Sequence, residues 1–177
     1  MSIFDKLKNN AAAGSETFTF DALPESLTQL QALPEATLDS PFKTAALTVC
    51  ALCAYAADKQ IGIEMLNFLK GPRPLTPFEI SFIDDRLRYG KHYVPLSYFA
   101  GATPDNQYTP AQPYSVTVFT NPHSAANEGY MKLFIRSGGA DHPREVVLRM
   151  RGDGKWFLWD QVLLPDIRVP KAQDPWA

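Results

Sequence analysis

The sequence predicts an α+β domain in which N-terminal helices pack on one face of a C-terminal, four-stranded antiparallel meander. Two observations predict this class: apolar residues recur at helical spacing in the first half of the chain and alternate with polar residues in the second half. The 15 prolines separate these stretches, because proline is excluded from helix interiors and central strands. At 177 residues we expect a single domain, 1–177, with a frayed N-terminal segment at 1–17.

The first half carries four helical patterns. Leucines at spacings of four, three and three predict a helix over 23–33 that ends at a proline. A nearly uniform apolar run at 42–57 follows Ser40 and a proline at the first helical position, which predicts a central core helix. Two further helices are expected at 63–70 and after Thr76, where Thr and Glu three residues apart form a capping box.

The second half carries the strand patterns. Alternating apolar residues predict strands at 114–120, 130–136, 144–151 and 155–160, the last two joined by a glycine-rich hairpin turn. The stretch 95–122 contains five prolines, so we expect an ordered but irregular connection there. The Ser137-Gly138-Gly139 sequence is interpreted as a turn in which glycine supplies a positive φ, in preference to an anion-binding loop.

Composition and charge argue against several classes of function. The chain has 17 Lys and Arg against 19 Asp and Glu, which is unlike a protein built mainly to neutralise phosphates. It has no apolar run long enough for a membrane helix, and it begins with polar residues instead of a secretion segment. We therefore expect a cytoplasmic protein that binds neither nucleic acid nor membranes.

The sequence predicts no cofactor and no metal site. It lacks phosphate-binding glycine loops and nucleophile-elbow motifs, and its three histidines do not have metal-ligand spacing. Cys50 and Cys53 have the spacing of a redox or zinc motif, but both fall inside an apolar helical run without a second ligand pair. We expect them to be buried free cysteines.

Several segments resemble an uncharacterised bacterial family, a domain of unknown function, over about residues 18–177. The segments that carry the resemblance are LPESL at 23–27, PFKTAAL at 41–47, NFLKGP at 67–72, YVPLSYFAGATP at 93–104, WFLW at 156–159 and DPWA at 174–177. The resemblance implies a stand-alone bacterial protein and assigns no activity, ligand or partner. The order of helices and strands is also similar to the nuclear-transport-factor-like fold, which hosts both enzymes and binding modules.

The stretch 92–114 is the most unusual feature, because it mixes aromatic and amide side chains. Such mixtures are typical of ligand grooves and protein interfaces. Aromatic residues also pin irregular chain to the body of a protein, so a structural role stands beside the binding role. The candidate ligand- or partner-binding residues are Tyr93, Tyr98, Phe99, Asn106 and Tyr108.

Two functional hypotheses follow. The first is a non-catalytic binding or protein-interaction module that uses the 92–114 segment, with the tail around Trp176 contacting a partner or a second subunit. The alternative is a small-molecule enzyme with a pocket between helices and sheet, in which Asp85 and His92 form an acid–base pair. His92 and the preceding lysine also fit a simpler role, because cations near a helix C-terminus complement its dipole.

A basic face on the predicted sheet is a further candidate. Outward-facing cations in the strands could receive an anionic partner, or could form an ordinary solvated face. These cations are Lys132, Arg136, Arg149 and Arg151. The expected partner of the chain is a protein, a small molecule or a second copy of the chain in a homo-oligomer.

Overall fold

A computed structural model describes residues 14–177, which form a five-stranded antiparallel sheet and five α-helices. The helices are α1 (Leu27–Gln31), α2 (Pro41–Ala57), α3 (Lys59–Lys70), α4 (Pro77–Leu87) and α5 (Tyr93–Leu96). The strands are β1 (Ser15–Phe20), β2 (Tyr114–Phe119), β3 (Tyr130–Ile135), β4 (Arg144–Met150) and β5 (Trp156–Gln161). Short 3-10 helices lie at Pro34–Thr37, Pro104–Asn106 and Lys171–Gln173. The predicted α+β class is confirmed.

The predicted four-stranded sheet is corrected to five strands in the order β1-β2-β3-β4-β5. The added strand, β1, precedes the five described helices and pairs antiparallel with β2, from Ser15 opposite Phe119 to Phe20 opposite Tyr114. It was missed because its alternation is short and follows a polar start, and only Phe18 and Phe20 are buried. Residues 15–17 of the segment expected to be frayed belong to this strand, and residues 1–13 lie outside the described residues.

The central helix α2 forms the core with the sheet. Ser40 accepts a hydrogen bond from the Phe42 N–H and Pro41 occupies the first turn, so the helix begins where the sequence predicts. The helix contacts all five strands, and its alanines allow neighbouring backbones to approach closely. Cys50 is fully buried, and burial raises the pKa of its thiol well above the usual value. Cys53, by contrast, is only partly buried.

The connection between α5 and β2 is built into the sheet. Strands β2 and β3 pair over only two residue pairs and then separate. Residues 97–102 fill the gap: the Ala100 N–H donates to the Ser115 carbonyl at 2.8 Å, and the Gly138 N–H donates to the Ser97 carbonyl at 2.8 Å. The proline-rich connection is therefore ordered and irregular because it replaces part of a strand.

The turn at Gly138 and Gly139 is present, but the reason given for its glycines is corrected. Neither glycine has a positive φ. A Cβ on Gly138 would overlap the Ala102 carbonyl oxygen, and a Cβ on Gly139 would overlap the Tyr108 hydroxyl. The turn needs glycine because the 97–108 chain lies directly against it.

An ion pair with a buried lysine helps to attach helix α4 to α3. Thr76 and Glu79 form the predicted capping box, and Glu79 also accepts from Lys70 at 3.3 Å. The Lys70 side chain is only 4% exposed. Burial would raise the pKa of Glu79, but the Thr76 N–H and the Lys70 ammonium outweigh it and hold that pKa below the usual value.

We expect the Glu79→Gln variant to lose about 1–3 kcal/mol of unfolding free energy at pH 7, since a buried ammonium loses its counter-charge. The carboxylate contributes fully above its unfolded-state pKa of about 4.3, and the contribution is lost as pH falls through the lower folded-state pKa. The difference between wild type and variant should therefore shrink at pH 3. Urea unfolding at both pH values measures it, and an equal difference at the two values would contradict the assignment.

Candidate functional site

The aromatic side chains of the 92–114 segment mostly face the core. Tyr98 is buried and donates its hydroxyl to the Leu163 carbonyl. Tyr108 is fully buried, stacks on Tyr93 at 5.3 Å between ring centroids, and donates to the Arg168 carbonyl at 2.6 Å. Burial raises the pKa of Tyr108 to about 12. These tyrosines attach the connection to the C-terminal chain.

Phe99 and Asn106 also have internal partners. Phe99 is buried, with its ring edge-to-face against Tyr114 at 5.5 Å. Asn106 is exposed, but its side chain closes the 101–109 turn: its Oδ1 accepts from the Thr103 N–H at 3.0 Å, and its Nδ2 donates to the Gly101 carbonyl at 2.7 Å. The central residues of the 92–114 segment therefore stabilise its own conformation, and few of its aromatic side chains are exposed to solvent.

The structure does not bring Asp85 and His92 together. Asp85 is exposed on α4 and pairs with Arg88 at 2.7 Å, and no ion pair joins it to His92 in the described part of the chain. The neighbouring Asp84 is the carboxylate that faces the body, where it accepts from Tyr55 and Lys59, each at 2.6 Å. His92 instead lies at the start of α5, on the wall of a cleft.

This cleft, called the acidic cleft here, has a volume of about 830 Å³. It lies among residues 21–25, the C-terminal end of α2, the start of α3 and both ends of the 92–114 segment. Its apolar wall includes Leu23, Cys53, Ala54, Ala57, Ile61 and Leu96. The two ends of the segment contribute His92, Gln112 and Tyr114. The volume lies within the range typical of small-molecule sites.

The polar lining of the acidic cleft is negative. Three carboxylates line it, from Asp21, Glu25 and Asp58, and neither lysine nor arginine is among its described lining residues. Asp58 is fixed in place because its carboxylate caps α3, accepting from the Ile61 N–H at 3.2 Å. Tyr114 is held by its contact with Phe99. The arrangement can bind a small molecule that has an apolar body and a positive charge.

Sequence reasoning missed the three carboxylates of the acidic cleft. They come from the chain before α1 and from the junction of α2 with α3, so no local spacing connects them. Among the cleft residues, His92 was a candidate for a different role, as an acid–base partner of Asp85, and Tyr114 was the end of the aromatic segment. Both lie at the ends of the 92–114 segment, which overlaps the proline-rich stretch 95–122.

The other candidate residues lie elsewhere. Trp176 is 93% exposed, near the C-terminus. Lys132, Arg136, Arg149 and Arg151 have exposed side chains along β3, β4 and their ends. Lys132 is close to Glu145 at 3.8 Å, and Arg151 pairs with Asp153 at 2.6 Å.

Within residues 14–177, no group of three His, Cys, Asp or Glu side chains is arranged to hold a metal ion. No helix in that part of the chain has the length and apolar character needed to cross a membrane.

Comparison with known proteins identifies a family and no functional relative. Neither a curated protein nor a solved structure matches the chain. One family does match, over residues 22–171, and it is described as "Domain of unknown function (DUF6935)". The match includes both ends of the 92–114 segment and most of the acidic cleft. Because it spans most of the sequence, the chain belongs to this DUF6935 family of domains of unknown function.

Proposed function

We propose that the protein is a non-catalytic binding module whose ligand is a small organic cation held in the acidic cleft. One observation carries the proposal: a cleft of about 830 Å³ combines an apolar wall with three carboxylates and no neutralising cation among its described lining residues. The 92–114 segment contributes through its two ends, His92 and Tyr114, and not through its buried tyrosines.

The apolar and charged parts of the lining favour different parts of a ligand. The end of α2 offers Ala54, Ala57 and Cys53 as an apolar surface for an organic body. Asp21 and Glu25 are exposed carboxylates that can pair with an ammonium group at the mouth. Tyr114 is half-buried and presents a rigid aromatic ring, and aromatic faces attract cations.

The enzymatic alternative gains no support from the observed geometry. Asp85 is bound to Arg88 and is not among the residues that line the acidic cleft. His92 is therefore without the carboxylate partner on which the acid–base hypothesis depended. We also propose that the helices and the sheet adopt a nuclear-transport-factor-like arrangement. Because that fold hosts both enzymes and binding modules, it favours neither function.

The wider setting also belongs to the proposal. We propose a bacterial protein because segments such as PFKTAAL at 41–47 resemble a bacterial family, and a cytoplasmic one because its only two cysteines are both free. Exposed aromatic side chains at Phe78, Tyr89 and Trp176 support contact with a protein partner or a second copy. Nucleic acid and membranes are not proposed partners.

Calorimetric titration tests the binding proposal. The ligands are benzylamine and cyclohexylamine, and the neutral alcohol of each amine is titrated as a comparison. We expect saturable binding of the amines and about tenfold weaker binding of the alcohols, because only the amines pair with the carboxylates. Ala57→Phe should abolish binding by filling the cleft. Ala126→Phe adds the same ring at an exposed turn outside the cleft lining and should change nothing.

A variant that removes two carboxylates distinguishes charge pairing with the ligand from the fit of the ligand to the cleft. Asp21→Asn combined with Glu25→Gln should weaken amine binding and leave alcohol binding unchanged. The proposal fails if amines and alcohols bind equally, if neither amine shows saturable binding, or if the Ala57→Phe variant binds like the wild type.

A further inference from the structure

A second cleft, called the arginine cleft here, lies where the chain after α3 meets the outer face of the β4–β5 hairpin. Its volume is about 420 Å³, and it shares no lining residue with the acidic cleft. Its lining combines cationic, aromatic and apolar side chains. The lining residues on which the argument depends are Arg73, Arg149, Arg151, Pro72, Met150 and Trp159.

Two guanidinium groups lie over one indole ring. The Cζ atom of Arg73 is 4.3 Å from the centroid of Trp159, and the Cζ atom of Arg149 is 4.8 Å from it. Arg149 also lies 5.3 Å from the ring of Tyr130, which packs edge-to-face on Trp159. The aromatic rings thus hold both arginines at the cleft.

Neither of these arginines forms an ion pair with a carboxylate of residues 14–177. The ion pairs within residues 14–177 do not include Arg73 or Arg149. The charge of Arg73 acts on Glu79, but that carboxylate is already bound by Lys70 and the Thr76 N–H. Arg151, in contrast, is neutralised by two contacts with Asp153. Two guanidinium groups that no ion pair within residues 14–177 neutralises therefore line the cleft, and their positive charge would attract an anion.

The chain that carries Arg73 is held rigidly. Gly71 has a φ of +61°, and a Cβ there would overlap the Phe157 ring, so the loop lies flat on β5. Prolines precede and follow Arg73, and the Leu75 N–H donates to the Asn67 side chain at 2.9 Å. Little conformational entropy is lost when such a side chain binds a ligand.

We infer that the arginine cleft binds a small organic phosphomonoester. Two unpaired guanidinium groups match the charge of a phosphate dianion, and guanidinium forms paired hydrogen bonds to phosphate oxygens. The apolar walls at Pro72 and Met150 fit the organic part, and about 420 Å³ is the size of a small-molecule site. This inference is independent of the proposed function, because the two clefts share no residue.

Titration calorimetry with phenyl phosphate at pH 8 tests the inference, with benzyl alcohol as the neutral comparison. We expect one phenyl phosphate per chain and no binding of the alcohol. Arg73→Gln and Arg149→Gln should each weaken binding by about tenfold or more. The Arg73→Lys variant should bind phenyl phosphate with an affinity between those of the wild type and Arg73→Gln. Lysine keeps the positive charge but lacks the planar guanidinium group that forms paired hydrogen bonds.

Arg136→Gln is the matched control. Arg136 also lies over an aromatic ring, 5.0 Å from Phe119, but it does not line the arginine cleft. It should change phenyl phosphate binding by less than about twofold. Thermal unfolding of each variant checks that the fold is intact, and a variant that unfolds early is replaced by its lysine counterpart.

Three results would overturn the inference. The first is an absence of saturable phenyl phosphate binding to the wild type. The second is equal weakening by Arg136→Gln and Arg73→Gln. The third is binding of a single-stranded oligonucleotide that tightens with length and depends on Arg136 as strongly as on Arg73, since this would indicate an extended nucleic-acid face instead of a small-molecule cleft.

Discussion

Tyr108→Ala is expected to lower the free energy of unfolding by about 3–5 kcal/mol, because it removes a fully buried aromatic side chain. The variant loses the stack on Tyr93 and leaves the Arg168 carbonyl without its hydroxyl donor. It also leaves a cavity beside Gly139, whose backbone lies directly against the Tyr108 hydroxyl. Chemical denaturation followed by circular dichroism measures the loss.

Two further variants calibrate this result. Tyr108→Phe keeps the ring and removes only the hydrogen bond, so it should cost about 1 kcal/mol. Tyr89→Ala is the surface control, because Tyr89 is 88% exposed, and it should change stability by no more than about 0.5 kcal/mol. If Tyr108→Ala behaves like Tyr89→Ala, Tyr108 does not anchor the 92–114 segment.

Gly138→Ala is expected to lower the free energy of unfolding by about 2–3 kcal/mol. The new methyl group would overlap the Ala102 carbonyl oxygen, which is backbone and cannot move without displacing the 97–102 chain. That displacement would strain the hydrogen bond between the Gly138 N–H and the Ser97 carbonyl. The effect is steric and not conformational, since the φ of Gly138 is not positive.

Gly152→Ala is the matched control for Gly138→Ala. Nothing lies within 4 Å of a Cβ placed on Gly152, and its φ is not positive. Its stability should stay within about 0.5 kcal/mol of the wild type. Equal stability of the Gly138→Ala and Gly152→Ala variants in the same denaturation experiment would show that the 97–102 chain is not packed into the sheet.

Local patterns predicted most of the elements correctly. The Thr76 capping box, the proline entry of α2 and the alternation of β3 and β4 all appear in the structure. Each of these signals acts within a few residues, so it can be recognised in the sequence. Strand β1 was missed because its alternation covers only six residues, and its partner, β2, is about a hundred residues away, so that the pairing itself cannot be seen in the local sequence.

The candidate site was only partly predictable for the same reason. The sequence drew attention to the 92–114 segment; the structure places its ends, His92 and Tyr114, on the acidic cleft and buries its central tyrosines. Aromatic residues look alike in sequence whether they face solvent or pack on the sheet. Which of them are buried depends on how the 92–114 chain packs against the rest of the fold, and no local pattern encodes that packing. The carboxylates of the acidic cleft and the arginines over Trp159 likewise come from separate segments.

The histidine resonances provide the most direct test of ligand binding in the acidic cleft. Of the three histidines, only His92 lines this cleft, so His123 and His142 serve as internal controls. In a carbon–proton NMR titration with benzylamine, we predict saturable shifts of the His92 ring signals and unchanged signals from the other two. The His92 shifts should disappear in Ala57→Phe. Unchanged His92 signals, or equal shifts of all three histidines, would contradict binding in the acidic cleft.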